Sequence, residues 1–594
     1  MLRLSLAAYI LAVGTVWGAD PDGAALYLAR CAGCHDNGAD ARVPKREEIA
    51  SRTPESILAT MFAGAMMVES AGLSMDQGRA IARFLTGKEP RTETASVTGG
   101  CTSPGKKVTV AATDWNGWGV DLSNSRYQPK PGLSAADIPK LKLKWAFGFE
   151  GATSAFAQPT VAGGRVFVGS QAGTVYSLDA SAGCAYWSYS AGAPVRTAIS
   201  LAKSGNRTIA FFGDIKTIVH GVDADTGEPI WKIKVEDHQV GRITGAPTFY
   251  NGRLYVPVSS IEEGSAALPQ YECCTFRGSV LALDAETGRQ IWKSYTVLDP
   301  PKPFKKNKTG VQMHGPAGAA VWSSPTIDTK RKLVYVATGD SYTDLDVDTT
   351  DAILAFDLDT GHLAWVSQVE ANDNFIVSCP SAANCPGNPG PDFDFGSSPI
   401  LRFIGGKEIL VASQKSGIVW GLDPEQKGKI LWQTRLGVGS MLGGVEWGSA
   451  ADEQNAYVAI SDRIVKSGGQ PGISAVRLAT GEKVWTTPAP AVTCATPAGC
   501  LPGQSAPVSV IPGAVFSGAL NGHFRAYSTA DGKILWDFDT VQPFDTVNKV
   551  EAKGGSIDGA GPTIANGMVF TTSGYGSFGG KPGNVLLAFS VDGK

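Results

Sequence analysis

The residues Cys31-Ala32-Gly33-Cys34-His35 are the chain's sharpest chemical motif. Two thiols at that spacing add across the two vinyl groups of a haem, and the histidine that follows them becomes an axial ligand of the iron. A haem c fixed in this way carries electrons one at a time. The second axial ligand is expected to be a methionine downstream. Met66, in Gly64-Ala65-Met66, is the candidate, with Met67 the neighbour to exclude.

Attachment of haem c takes place outside the cytoplasm, and the N-terminus agrees with export. Arg3 precedes an uncharged apolar run from Leu4 to Trp17, which ends in Gly18-Ala19. Residues 1–18 therefore read as a cleaved secretory signal, too short to span a bilayer. No later segment is long and apolar enough to cross a membrane, so a periplasmic protein without a membrane span is expected.

The rest of the composition narrows the chemistry. A length of 594 residues calls for at least two domains, and a net charge of −3 gives no reason to expect nucleic acid as a partner. The six histidines form no HxH or HxxxH pair, which argues against a zinc or non-haem iron site. Ten cysteines suit an oxidising compartment. Beyond the haem pair, local spacing favours Cys379–Cys385 and Cys494–Cys500, with Cys101–Cys184 remaining.

Residues 19–88 read as helix, haem motif, loop and helix, the order and size of a small all-α cytochrome c domain. Its last helix spans 74–85, with Gly87 just past the end. A polar linker over 89–112 follows. The remainder, 113–594, repeats one pattern: an alternating strand, a turn carrying Asp and Gly, then a second strand ending in Trp. Copies include GTVYSLDASAGCAYW (173–187), IVHGVDADTGEPIW (218–231), GSVLALDAETGRQIW (278–292) and GHFRAYSTADGKILW (522–536). Asp favours the turn, and Gly takes its left-handed position. Eight copies predict an all-β, eight-bladed propeller. The last copy, GNVLLAFSVDGK, lacks its Trp; Trp145, in the first strand after the linker, is expected to supply it by closing the ring.

These repeats resemble the tryptophan-docking repeats of quinoprotein alcohol dehydrogenases. A cytochrome domain placed ahead of the propeller is most similar to the order in polyvinyl-alcohol dehydrogenases. The resemblance implies pyrroloquinoline quinone (PQQ) and Ca²⁺ in the central channel. It implies that Trp322, in GAAVWSSP, stacks on one face of the quinone, and that a vicinal Cys273–Cys274 disulfide, in YECCTFRG, covers the other. The pair departs from the methanol dehydrogenase pattern by following Glu262-Glu263 within the same blade. Glu263, with Glu262 as the alternative, and Asp340, standing where the family has Asn, are the implied calcium ligands. Asp394, within Asp392-Phe393-Asp394, is the implied general base, with Asp392 a surface turn. Lys415 would stabilise the quinone oxygens. Thr244 and Arg196 would hold the cofactor's carboxylates, and Trp447 would line the channel.

The function expected is hydride transfer from a secondary or polymeric alcohol to PQQ, then single-electron transfer through haem c to a soluble cytochrome c or similar acceptor. Small primary alcohols or sugars are the alternative substrates. A non-enzymatic propeller scaffold is the rival class, disfavoured by the haem motif.

Overall fold

The computed structural model describes residues 20–593 apart from 39–42, 91–98, 346, 466 and 492–501. The expected signal peptide and the Cys494–Cys500 pair lie outside the described residues.

Residues up to 54 together with 73–90 form one compact helical unit. Its first helix, Gly23–Arg30, is capped by the Asp22 carboxylate, which accepts the Ala24 and Ala25 amides. Its last helix is Met75–Thr86, with Ser74 as N-cap, a reciprocal bond from Gln77, and Gly87 at φ 67°. Gly23 is what lets these two helices meet, since a Cβ there would lie 2.0 Å from the Ala80 carbonyl oxygen. Tyr27 and Phe84 pack across the same contact with ring centroids 5.7 Å apart.

The second unit contains residues 55–72 and 91–594. Among the described residues its body is a ring of eight antiparallel sheets, each of four strands except one, which gains the short strand Gly241–Arg242 as a fifth. In seven of them the strands follow in chain order, beginning at Thr160, Ser200, Thr248, Thr326, Ile400, Ala450 and Ser509. The eighth takes three strands from the C-terminal end and its fourth, Lys142–Gly148, from ahead of the first blade. Trp145 there pairs with Ala588, so the ring closes as the repeat requires.

Each tryptophan ends its blade by docking on the next. Trp145 donates its indole N–H to the Ala180 carbonyl, Trp187 to Ala224, Trp231 to Ala285 and Trp292 to Leu358. The series ends with Trp536 donating to Leu141, ahead of the closing strand. The turn glycine of the receiving blade lies under the ring. Gly183, Gly227, Gly288 and Gly361 have φ of 72–78°, and a Cβ on any of them would stand 2.6–2.7 Å from the indole. Glycine is thus required twice over, for a left-handed backbone and for the approach of the ring.

A pair of alanine substitutions separates these two requirements. Gly252 has φ 76° with nothing within 4 Å of the place a Cβ would take, whereas Gly361 has φ 72° and meets Trp292. Gly252→Ala should cost about 1–2 kcal/mol, the left-handed penalty alone. Gly361→Ala should cost about 2–5 kcal/mol, because overpacking adds to it. Equal losses in chemical denaturation would disprove the docking role.

Candidate active site

A cavity of about 360 Å³ opens in the second unit. Much of its wall comes from one position in the repeat, the residue a fixed step ahead of each blade's first strand. Phe156 precedes the strand at Thr160, Arg196 that at Ser200, Thr244 that at Thr248 and Trp322 that at Thr326. Glu446 and Ser505 hold the same place before Ala450 and Ser509. Connections within blades add Glu263, Asp340 and Lys415, and one between blades adds Asp392 and Asp394.

Glu263 sits on a one-turn helix, Glu262–Ser265, that follows the strand Arg253–Ser260. Asp340 follows the strand Leu333–Ala337. Asp394 comes from the long connection into the strand at Ile400. Carboxylate oxygens of Glu263, Asp340 and Asp394 all lie within 4.8 Å of one another. Gly339 makes this approach possible, since a Cβ on it would stand 2.5 Å from Asp394 Oδ1. That same oxygen accepts the Asp340 amide at 2.7 Å. Asp340 Oδ2 is buried without a hydrogen-bond partner. Three clustered carboxylates with an orphaned oxygen fit a hard cation such as Ca²⁺.

Burial pushes the Glu263 carboxyl up to about 7, with Lys415 opposing the shift and Asp394 and Asp373 adding to it. Burial, with Asp394 and Glu263 as neighbours, also raises Asp340 well above the usual carboxylate range. Glu262 has a different task. It is buried and accepts the amides of Thr275 and Phe276 and the Tyr271 hydroxyl, whereas Glu263 lines the cavity.

Lys415 binds two carboxylates at once. Its Nζ lies 2.7 Å from Asp392 Oδ1 and 2.8 Å from Asp394 Oδ2, and its backbone amide donates to the Asp394 carbonyl. Asp392 is therefore no surface turn: it is 3% exposed, at φ 60°, and faces the cavity. The physical reason lies in Asp373, which accepts the amides of Asp392 and Phe393 and folds the segment inward.

Trp322 and Trp447 meet edge to face with centroids 5.2 Å apart, and Lys415 Nζ lies 5.3 Å from the Trp322 ring. Thr244 Oγ1 is tied to Ser259 Oγ, and the Trp447 indole donates to Asp558. Arg196 lies over Trp447 at 4.3 Å, with its Nη2 buried and unpartnered. Two further arginines, which no motif marks, line the same cavity. Arg463 also has an unpartnered buried Nη2. Arg242 forms no ion pair among the described residues, and its Nη1 meets only Met67 Sδ, at 3.8 Å. Burial, with Arg196 nearby, lowers Arg242 to about 10. Guanidinium donors left unpaired in a cavity fit the carboxylates of an anionic ligand.

The vicinal disulfide Cys273–Cys274 forms, but both residues are wholly buried and neither lines the cavity. They belong to an apolar cluster with Phe276, Tyr342 and Ile376. Tyr342, which packs with them, lines the cavity. Bonds Cys101–Cys184 and Cys379–Cys385 form as expected.

Comparison with known proteins agrees with this geometry. The chain is 45% identical to a polyvinylalcohol dehydrogenase of Pseudomonas sp, over 98% of this chain and 96% of that one. It is 44% identical to a polyvinylalcohol dehydrogenase of Sphingopyxis sp. (strain 113P3), over 96% and 93%. This chain belongs to the polyvinylalcohol dehydrogenase family. It is a PQQ-dependent alcohol dehydrogenase. The profile of the glucose/ethanol/alcohol dehydrogenase β-propeller domain matches residues 115–384. That of outer membrane protein assembly factor BamB matches 274–506 and 473–594. The quinohemoprotein alcohol dehydrogenase of Comamonas testosteroni shares the fold, with TM-score 0.60 at 18% identity over 81% of each chain.

The raised Glu263 carboxyl sets a pH dependence. Its folded value of about 7 exceeds the ordinary 4.5. In metal-free protein its contribution to stability is full below the lower value and lost as pH rises through the upper one. A bound cation requires the deprotonated form, so its stabilisation should grow in the opposite direction. The rise in thermal midpoint on adding Ca²⁺ should be larger at about pH 8 than at about pH 5. An equal rise at both would overturn the assignment of Glu263 as a ligand.

Proposed function

We propose that this enzyme oxidises secondary hydroxyls of polyvinyl alcohol, with Asp394 as general base and Glu263 and Asp340 as ligands of Ca²⁺. The carrying observation is that Asp394 belongs to two arrangements at once. It completes the carboxylate triad and receives the Lys415 ammonium. When bound, PQQ supplies a two-electron acceptor, the cation polarises it, and haem c supplies a one-electron outlet.

The chain's own residues do the rest. Asp394 takes the hydroxyl proton, while Lys415 holds Asp394 and Asp392 in place and presents positive charge to developing oxyanion character. Trp322 offers a flat face, Trp447 crosses it at its edge, and Arg196, Arg242, Arg463 and Thr244 supply donors for carboxylates. The substrate reading rests on the names of the relatives, which cover nearly the whole chain.

The helical unit is proposed to be the haem c domain. Cys31 and Cys34 are free. His35 is buried with Nδ1 2.8 Å from the Pro44 carbonyl, a bond that fixes the ring and leaves Nε2 for iron. Met66 is kept as the proposed second ligand from the sequence motif, with Met67, whose Sδ lies 3.8 Å from Arg242 Nη1, the neighbour to exclude. Disulfides support an oxidising compartment, here taken as the periplasm after cleavage of residues 1–18. No described helix is long and apolar enough to cross a membrane. A soluble cytochrome c or similar protein is the proposed acceptor.

Two experiments test this. Asp394→Asn should fold and bind PQQ, yet lose about 10²–10⁴ in dye-linked oxidation of polyvinyl alcohol. Asp392→Asn should lose less, since Asp394 and Lys415 both remain. The reverse order would move the base to Asp392. Separately, Met66→Ala should abolish the methionine-to-iron charge-transfer band of the oxidised haem, and Met67→Ala should keep it.

A further inference from the structure

Phe578, which lines the cavity, and Ile464, next to the lining residue Arg463, hold a backbone conformation that their side chains oppose. Phe578 has φ 51° and Ile464 has φ 58°, the left-handed region. For a β-branched or aromatic residue this conformation is a true outlier. Both are also exposed, Phe578 by 52% and Ile464 by 57%. Neither core packing nor turn chemistry explains such a choice, because glycine or asparagine would suit the turn better and solvent gives the side chains nothing.

The surrounding contacts enforce the arrangement. Phe578 lies in the connection between the strands Met568–Ser573 and Val585–Ser590. That loop is pinned by Tyr575 N–H to the Lys581 carbonyl, Lys581 N–H to Ser556 Oγ, and Gly576 N–H to Ser154 Oγ. Ile464 follows Arg463, and the buried Asp462 carboxylate clamps its loop to the neighbouring one by accepting amides of Val438, Gly439 and Gln470. A Cβ on Gly579, the residue after Phe578, would stand 3.9 Å from Arg463 Nη2, so the two loops approach each other there. Met441, 38% exposed on the clamped loop, and Phe578 both border the cavity. Phe578 and Met441 thus present exposed apolar surface at the cavity that contains Asp394, and Ile464 follows Arg463, which also lines it.

We infer that these residues, Phe578 with Ile464 and Met441, form a docking strip for the methylene backbone of a polymeric secondary alcohol whose reacting hydroxyl enters the cavity. The inference rests on the proposed substrate reading and names where the rest of the chain lies. A small alcohol leaves nothing outside the cavity. A polymer leaves flanking segments with one apolar edge and one hydroxylated edge, and an exposed apolar rim suits the first while water keeps the second.

Glycine fits a left-handed backbone, so Phe578→Gly and Ile464→Gly remove the side chains while relieving strain, and thermal midpoints should hold or rise. In full-length enzyme reconstituted with PQQ and Ca²⁺, the measurement is kcat/KM on polyvinyl alcohol divided by kcat/KM on 2-butanol. The double variant should lower that ratio on the order of tenfold, chiefly through KM for the polymer. An unchanged ratio in an enzyme whose wild type oxidises polymer overturns the strip alone. A wild type that oxidises 2-butanol but not polymer defeats the substrate reading and the strip together. A dimer that dissociates on substitution, at unchanged ratio, would assign the rim to a second copy of the chain and likewise overturn the proposal.

Discussion

Everything in the propeller depends on an indole lying flat on a glycine. In seven of the eight blades the closing tryptophan's ring occupies the space a Cβ would fill on a glycine of the next blade's turn, and in seven, Trp536 among them and Trp365 excepted, its N–H meets a carbonyl just beyond. One contact thereby fixes the spacing and phase of neighbouring blades together. Residues at one place in the repeat must then converge on one axis. Phe156, Arg196, Thr244, Trp322, Glu446 and Ser505 share no chemistry, yet all reach the same cavity because they share a position.

Convergence brings charge as well, and the fold separates it by sign. Carboxylates of Glu263, Asp340, Asp392 and Asp394 gather around the single ammonium of Lys415. Arg196 and Arg463 each keep an unpartnered Nη2 elsewhere in the cavity, although Arg463 also pairs with Asp558 at 3.5 Å, and Arg242 meets only Met67 Sδ. Both groupings are costly when left uncompensated in a buried space. A cation at the first and an anionic cofactor at the second would remove both costs, so the cavity is electrostatically incomplete in complementary ways. The raised Glu263 and lowered Arg242 values express that incompleteness from its two sides.

Sequence periodicity carries most of the architecture. Eight Asp/Gly/Trp repeats and the displaced Trp145 specify the ring, because the docking contact uses residue types that can be recognised singly. Motifs also place Trp322, Asp340, Asp394 and Lys415 in the cavity. Asp392 escapes such a reading because its orientation is set by Asp373, a residue distant in sequence and without a motif. The disulfide of Cys273 and Cys274 is legible as a bond, while its packing with Tyr342 in an apolar cluster carries no local signature. Arg242 and Arg463 carry no local signature. The signal that could narrow such a search is the phase of the repeat, read forward from each tryptophan to the step before the next blade's first strand.

That same phase explains two glycines in the ring. Gly396 and Gly559 stand at the step where other blades carry Trp322 or Arg196. A Cβ on Gly396 would come within 2.6 Å of the Trp322 ring, and one on Gly559 within 2.9 Å of an Arg196 nitrogen. A converging position cannot be filled eight times, because side chains from every blade would compete for one axis. Glycine at some steps reserves room for the aromatic plane and the guanidinium supplied at others. The shape of the cavity is therefore set as much by where the repeat withholds a side chain as by where it supplies one. In such a ring a lost Cβ and a large cofactor-facing group are two halves of one packing solution.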